Sequence, residues 1–457
     1  TMTKTGIKTG MASVGVAAAA TVGRRAALML PLAALGGCSI WDGWFGSEKV
    51  PLPGKRLPVM PPQDPLQVTP GRTVTVPPPQ ADAGWPQPGG SPAHGGGNLA
   101  APGPLARVWS SDIGSGTGYR RRITAQPVVA GGRVFAMDSD ANVSAWDAAT
   151  GRSVWNVDTR AEDDRSTNIG GGIAADGDTL YAATGRADVV ALDAATGKVR
   201  WRTRTAAGAR SAPTIVDQRM FIPTLDDLLV ALSTTDGKRL WAYQAPSTET
   251  SVLGLPAPAS AEGIVVAGFA TGDLQALRAV SGTVVWADSL ATARGRTSLA
   301  DLSTIRAMPL IRDGRVYAVG LGGLMVAIDL RSGRRLWERD IASGNTPWLA
   351  GGWLYVLTVE SQLVALSAED VAVAWVTQLD SYENPAKQSG PIQYIGPVMA
   401  GGRLLLVDSK GRMLVCDPVT GKQTGRLSVS AAGAVSPVVA GGMVFLVTAD
   451  GTLAALR

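Results

Sequence analysis

From residue 106 onward the chain repeats itself about every 44 residues, and a period of that size restricts it to stacked, mutually burying units. One unit opens with Pro127-Val128-Val129-Ala130, turns at Gly131-Gly132 and runs on through Arg133-Val134-Phe135-Ala136-Met137. It returns through Val143-Ser144-Ala145-Trp146-Asp147 and, after Thr150-Gly151, ends on Val154-Trp155. The opening proline recurs as Pro213, Pro258, Pro309, Pro347, Pro397 and Pro437, with Gly172 once in its place. Four residues later comes a turn pair: Asp176-Gly177, Asp217-Gln218, Glu262-Gly263, Asp313-Gly314, Gly351-Gly352, Gly401-Gly402 and Gly441-Gly442. Such pairs supply the positive φ angles of tight hairpins. The third apolar run carries alanine at its third position in seven of eight units, where a small side chain lets neighbouring sheets approach.

A tryptophan follows the last turn glycine by four residues in Gly151/Trp155, Gly197/Trp201, Gly237/Trp241, Gly282/Trp286 and Gly333/Trp337. Trp375 keeps the spacing although Val371 replaces the glycine, and after Gly421 the tryptophan gives way to Gly425. Four strands per unit and eight units predict an all-β fold, an eight-bladed β-propeller. The eighth unit stops at Leu456-Arg457, one strand short, while Arg107-Val108-Trp109 precedes the first. Trp109 lies 46 residues before Trp155, as Trp155 does before Trp201. The N-terminal strand is therefore expected to complete the last blade and close the ring, removing two open sheet edges.

The first 105 residues have another character. Arg24-Arg25 precede the apolar run 26–35 and then Gly36-Gly37-Cys38, a basic-then-apolar export signal too short to span a bilayer. Leu35-Gly36-Gly37-Cys38 resembles the bacterial lipobox, which makes Cys38 the expected lipidation site and 1–37 the signal peptide. Ser39 after it favours the outer membrane by the same resemblance. Between Pro51 and Pro104 lie fifteen of the 29 prolines, so 38–105 reads as an extended tether that contributes little core. The island Trp85-Pro86-Gln87-Pro88-Gly89-Gly90 suggests a short docking stretch, with His94 as a docked or solvated loop residue. Residues 106–457 form the propeller.

Composition excludes several functions. The net charge of +5 owes four cations to the acid-free first 37 residues, which leaves 38 bases against 37 acids. That balance is no footprint for nucleic acid. One histidine and two cysteines exclude His-based triads and thiolate or imidazole metal sites, so neither catalytic residue nor metal is expected. Asp147, Asp193, Asp329 and Asp417 stand where Asx-type turns need a carboxylate. Cys416 holds the register of Leu192, Leu232 and Leu366 and reads as a buried apolar spacer.

The form Ala191-Leu192-Asp193-Ala194-Ala195-Thr196-Gly197-Lys198-Val199-Arg200-Trp201 resembles the pyrroloquinoline-quinone-type propeller repeat. Quinone-dependent dehydrogenases and the outer-membrane assembly-factor lipoproteins of the BamB family share it. The dehydrogenases resemble one another in a ring of adjacent cysteines, which a chain whose only cysteine beyond Cys38 is Cys416 cannot form. Lipobox, proline-rich tether and eight blades resemble the assembly factors instead, as do Gly118-Tyr119-Arg120-Arg121-Arg122-Ile123 and the 85–90 island. The resemblance implies a non-enzymatic scaffold without cofactor, lipid-anchored in the outer membrane with its propeller in the periplasm. Its implied partners are the periplasmic domains of the barrel insertase BamA and other assembly-machinery components. The alternatives are a quinone-dependent oxidoreductase or an envelope lipoprotein that binds glycan or another envelope protein.

Binding is expected on the connections between blades, which vary in length as binding loops do. The longer ones are 158–172, 287–308 and 376–396, with 242–257 intermediate. By family resemblance, 242–257 and 287–308 dock on the insertase. Val252, Leu253 and Leu255 in the first, and Leu299, Leu302, Ser303, Ile305 and Arg306 in the second, are the candidate contacts. Leu253 and Thr304-Ile305-Arg306 depart from the arginine and spaced acids of better-known members.

Overall fold

The computed structural model describes residues 64–82, 84–162, 164–246, 256–291 and 304–457. Cys38 and the export signal lie outside these residues. Among the described residues the strands form eight four-stranded antiparallel sheets, each ordered from inner to outer strand, the arrangement of an eight-bladed propeller. In the first blade the strands are Val128–Ala130, Arg133–Met137, Asn142–Asp147 and Ser153–Asp158. The first three are largely buried, because each is covered by a neighbouring sheet on both faces; the outer strand alternates between exposed and half-buried residues. Seven of the eight expected hairpin pairs adopt positive φ at both residues, from Gly131-Gly132 to Gly441-Gly442. The second blade departs from the expected frame: its inner strand runs Gly171–Asp176 and the turn falls on Gly177-Asp178, one residue later than the repeat spacing implies.

Ring closure is as expected. The strand Arg107–Asp112 pairs antiparallel with Thr452–Leu456 as the outer strand of the last blade, Trp109 opposite Ala455. The Ala106 and Arg457 backbones exchange hydrogen bonds of 2.8 and 2.9 Å at its start. Val108 is bulged out of this pairing, as Val154 and Arg200 are in the first two blades, and each bulge immediately precedes the tryptophan. The extra residue sharpens the local twist and turns the indole toward the next blade.

Each indole then wedges between blades. Trp109, Trp155, Trp201, Trp241, Trp286, Trp337 and Trp375 donate Nε1–H to a carbonyl in the last turn of the following blade, at 2.7–3.1 Å. The turn glycines lie directly on these rings. A Cβ at Gly151 would stand 2.5 Å from Trp109, and one at Gly197 2.8 Å from Trp155. This explains Gly425. The indole of the seventh blade would dock beneath the last turn of the eighth, but that blade takes its outer strand from the other end of the chain and has no such turn.

The proline-rich segment supplies the principal correction to the sequence reading. Instead of contributing little core, it places Leu66, Val74, Trp85, Leu99, Ala101 and Leu105 among the buried apolar residues. Its route follows the inner strands around the ring. The Trp85 and Val129 backbones exchange bonds of 2.7 and 2.9 Å; Pro86 accepts from Ala175 at 2.6 Å, Pro92 from Ser260 at 2.7 Å and Ala93 from Ile311 at 2.9 Å. The Gln87 side chain accepts from the Ile215 N–H at 2.9 Å. Gly97 then donates to Leu349 at 2.7 Å, while Leu99 and Asp82 accept from Gly401 and Gly441 at 2.6 Å each. One short segment thus bonds to all eight blades. It pairs the inward-facing backbone groups that a propeller otherwise leaves to solvent in its channel. Composition misled because the segment needs no core of its own; it borrows the propeller's.

Two side chains fix this plug. Trp85, 2% exposed, stacks on Trp348 with ring centroids 6.2 Å apart and planes 8° from parallel. Trp348 in turn donates to the Gly97 carbonyl at 2.7 Å. Gly96 passes so close to the sixth blade that a Cβ there would lie 2.3 Å from the Leu349 carbonyl oxygen. His94 is buried, with Nδ1 2.6 Å from the Pro309 carbonyl. Upstream, Thr69 donates to Val373 at 2.8 Å and Arg72 pairs with Asp370, which leads the chain out past the edge of the sixth blade.

Candidate functional site

A propeller has two unlike faces. All outer-to-inner connections lie on one face, and the tight turns that carry the plug and the indole docking lie on the other. The first face holds every loop of variable length, so the candidate contacts belong to it.

Its described parts are held firmly. In the 158–172 connection Asn168 is buried, donates to the Ser139 and Gly170 carbonyls at 3.4 and 3.2 Å, and accepts from Gly185 N–H at 2.8 Å. The 376–396 connection folds into a ribbon of Tyr382–Asn384 and Ser389–Pro391, with Lys410 on Glu383 at 3.0 Å. Val252, Leu253, Leu255, Leu299, Leu302 and Ser303 lie outside the described residues.

The two remaining candidates separate. Ile305 is fully buried; its side chain occupies the space a Cβ on Gly268 would need, and its N–H donates to Phe269 at 3.2 Å. It anchors the loop to the fourth blade and presents nothing to a partner. Arg306 next to it is exposed and runs along Gly344. Partial burial of the guanidinium, and then the facing positive charge of Arg122, hold its pKa below the usual arginine value. Arg122 belongs to the connection into the first blade and Arg306 to that into the fifth, on opposite sides of the channel mouth. Among the described residues neither has an acidic partner.

A second feature of this face, Gly118–Ile123, was marked in the sequence only by family resemblance and was given no role as a contact. In the connection before the first blade, Gly118 and Arg121 form a two-residue hairpin whose tip is Tyr119-Arg120. Tyr119 is 98% exposed, with the Arg120 guanidinium 5.8 Å from its ring centre. The available signal was a tyrosine followed by three arginines in an otherwise charge-balanced domain.

Cys416 and the turn aspartates hold structural positions. Cys416 is fully buried, and burial pushes its thiol up to about 11, the behaviour of an inert spacer. Asp147, Asp193 and Asp329 each accept from the N–H and hydroxyl of a Thr or Ser three residues on, at 2.7–2.9 Å. Those bonds lower the pKa of Asp147 and Asp329; for Asp193 the Arg200 guanidinium acts first and brings it to about 2. These carboxylates are turn caps. Among the described residues no three His, Cys, Asp or Glu side chains converge as a metal site.

Comparison with known proteins agrees with this division. The family model for outer membrane protein assembly factor BamB matches residues 106–164, 139–377 and 380–457. The BamB of Yersinia pestis is 31% identical over 354 residues, 76% of this chain and 87% of that protein. The BamB of Escherichia coli K12 is 28% identical over 351 residues, 76% and 87% respectively. Among solved structures, BamB from Moraxella catarrhalis superposes with a TM-score of 0.64 at 20% identity, over 77% of this chain and all but 1% of that one (99%). A quinohemoprotein alcohol dehydrogenase from Comamonas testosteroni reaches 0.65 at 14% identity, over 82% and 80%. At such identities the structural likeness speaks for the fold alone, and the sequence relatives decide between the two lineages. The chain belongs to the outer membrane protein assembly factor BamB family.

Proposed function

We propose that this protein is a non-enzymatic scaffold of the outer-membrane β-barrel assembly machinery, anchored by lipid at Cys38. Its loop-bearing face docks on the periplasmic domains of the insertase BamA. The observation that carries this reading is family membership across the whole propeller, 106–457, including sequence relatives matched over most of their length. The two faces support it: the turn face is occupied by wedged indoles and the plug, while the opposite face displays connections of unequal length. Within the proposed interface, Leu253 and Leu255 act as apolar anchors and Arg306 as a peripheral charge; Val252, Leu299, Leu302 and Ser303 complete the two loops.

The test is affinity purification of the lipidated protein from its own envelope, followed by identification of what co-purifies. Recovery of BamA and further assembly components supports the reading. Recovery of cell-wall proteins alone replaces it with the glycan- or envelope-binding alternative.

A further inference from the structure

The hairpin at 118–121 is built to present its tip. Its base is held on every side: Thr117 N–H donates to Ala449 at 2.6 Å, the Ser139 hydroxyl to Gly116 at 2.7 Å, and Ile123 N–H to the Thr117 hydroxyl at 3.3 Å. Ile123 itself is buried beneath it. Arg121 ties the hairpin to Asp140 at 2.6 Å, and Asp140 also accepts from Ser115 at 2.8 Å. One of the three consecutive arginines is thus consumed in anchoring. Arg120 and Arg122 remain exposed beside a tyrosine that touches almost nothing of its own chain, and Arg306, its guanidinium partly buried along Gly344, faces Arg122; none of the three has an acidic partner among the described residues.

We infer that this finger is a second docking element of the loop-bearing face, and that it takes an acidic protein surface of the same assembly partner. The inference rests on the scaffold reading above and adds the partner's chemistry to it. A preorganised Tyr-Arg tip is the composition of an interface hot spot, since both side chains bury large area at small entropic cost. Arg122 and Arg306 repel each other, and apposed carboxylates relieve that repulsion while steering association. A lipid surface fits less well. Membrane-binding segments present a broad apolar face or a dense cluster of four to eight cations, whereas this site has one aromatic ring on a two-residue tip. The finger continues the proposed interface, because it stands on the same face as the two docking loops and its Arg122 faces Arg306 at the end of one of them.

The experiment compares envelope pull-downs of the wild type, the triple variant Arg120→Glu/Arg122→Glu/Arg306→Glu, the variant Tyr119→Ala and the conservative triple Arg→Lys variant. Thermal melts confirm that each is folded. Photo-crosslinking from position 119 with benzoylphenylalanine identifies the neighbour directly. The expected result is a roughly tenfold or greater loss of BamA recovery on charge reversal, substantial retention in the Lys variant, stronger binding at low salt, and adducts on an acidic segment of the partner. Two failures are distinguishable. If charge reversal leaves recovery unchanged while Leu253→Asp/Leu255→Asp abolishes it, the finger is no docking element and the scaffold reading stands. If the wild type recovers no assembly component, the scaffold reading falls and the finger's assignment with it. Adducts to lipid alone, or charge-dependent binding to anionic vesicles without partner adducts, overturn the protein-surface assignment.

Discussion

Trp109 lies directly against Gly151, its Nε1 3.0 Å from the Ala148 carbonyl of the same turn, so the strand nearest the N-terminal end of the ring locks onto the first complete blade. The contact closes the ring twice over. Arg107–Asp112 completes the last blade by backbone pairing, and its indole joins that blade to the next. No hairpin joins Arg107–Asp112 to the other strands of its blade, so closure rests on this backbone pairing and on the indole contact.

Closure can be measured at that contact. Trp109→Ala should cost about 3–5 kcal/mol, the usual range for deleting a core aromatic. Gly151→Ala should also destabilise, because its φ of +70° disfavours a side chain and the Cβ would collide with the indole. Gly425→Trp should bring no gain, since the eighth blade offers no turn for an indole to cover. Thermal melts of the three variants decide the matter, and stabilisation by Gly425→Trp would falsify the wedge rule.

The plug makes a truncation series informative. Removing residues 1–63 should leave the melting temperature near that of the full chain. A chain that starts at 106 loses Trp85, Leu99 and Leu105 together with the inner-edge hydrogen bonds. At about 1.5–3 kcal/mol per fully buried large apolar side chain, its melting temperature should drop by roughly 10 °C or more. Equal stability of the two truncations would mean that the plug is only draped on the propeller.

His94 makes the plug sensitive to acid. Burial lowers its pKa to about 4, against 6.5 in the unfolded chain, and the bond to Pro309 opposes this only in part. Between those values the unfolded state binds the proton and the folded state does not. The stability tied to the neutral imidazole is therefore fully present above pH 6.5 and is lost as pH falls toward 4. The total is on the order of 3 kcal/mol. His94→Gln should flatten the melting-temperature profile in this window, and an unaltered slope would remove His94 as its cause.

Docking through the two loops predicts a separation of binding from folding. Leu253→Asp with Leu255→Asp should abolish BamA recovery and leave the melt unchanged, since a few apolar side chains usually carry most of an interface. Wild-type recovery by the double variant would end the loop assignment. Ile305→Ala should do the reverse, lowering stability by about 2–5 kcal/mol through the cavity it opens against Gly268.

Anchoring is tested at Cys38. Acyl chains contribute about 0.8 kcal/mol per buried methylene, so two or three on one cysteine hold a protein on the membrane almost irreversibly. Cys38→Ala should abolish lipid labelling and leave an unprocessed or soluble form. Unchanged labelling would place the anchor elsewhere.

Much of this was legible because a propeller writes its architecture locally. The turn pairs, the alanine of the third strand and the glycine-to-tryptophan spacing each follow from contacts that recur at every blade, and repetition separates them from chance. The one-residue slip at Gly177-Asp178 shows the limit, since a longer inner strand such as Gly171–Asp176 leaves the spacing ambiguous until its partner strand is seen. Ile305 was misjudged for a related reason. An apolar residue in a loop reads equally as an anchor or as packing until a neighbour such as Gly268, far away in sequence, shows a space of its shape.

The sequence by itself determined the blade count, the donor of the closing strand, the structural use of the turn aspartates and the apolar role of Cys416. All of these are nearest-neighbour properties repeated along the chain. Only the tertiary structure decided where residues 64–105 go, which face presents the Tyr119-Arg120 tip, and why the seventh blade dispenses with its tryptophan. Those outcomes depend on the inward edges of eight separate inner strands and on a missing turn at the seam. A proline-rich segment carries no periodicity of its own, and its binding site exists only once the ring has brought those strands together.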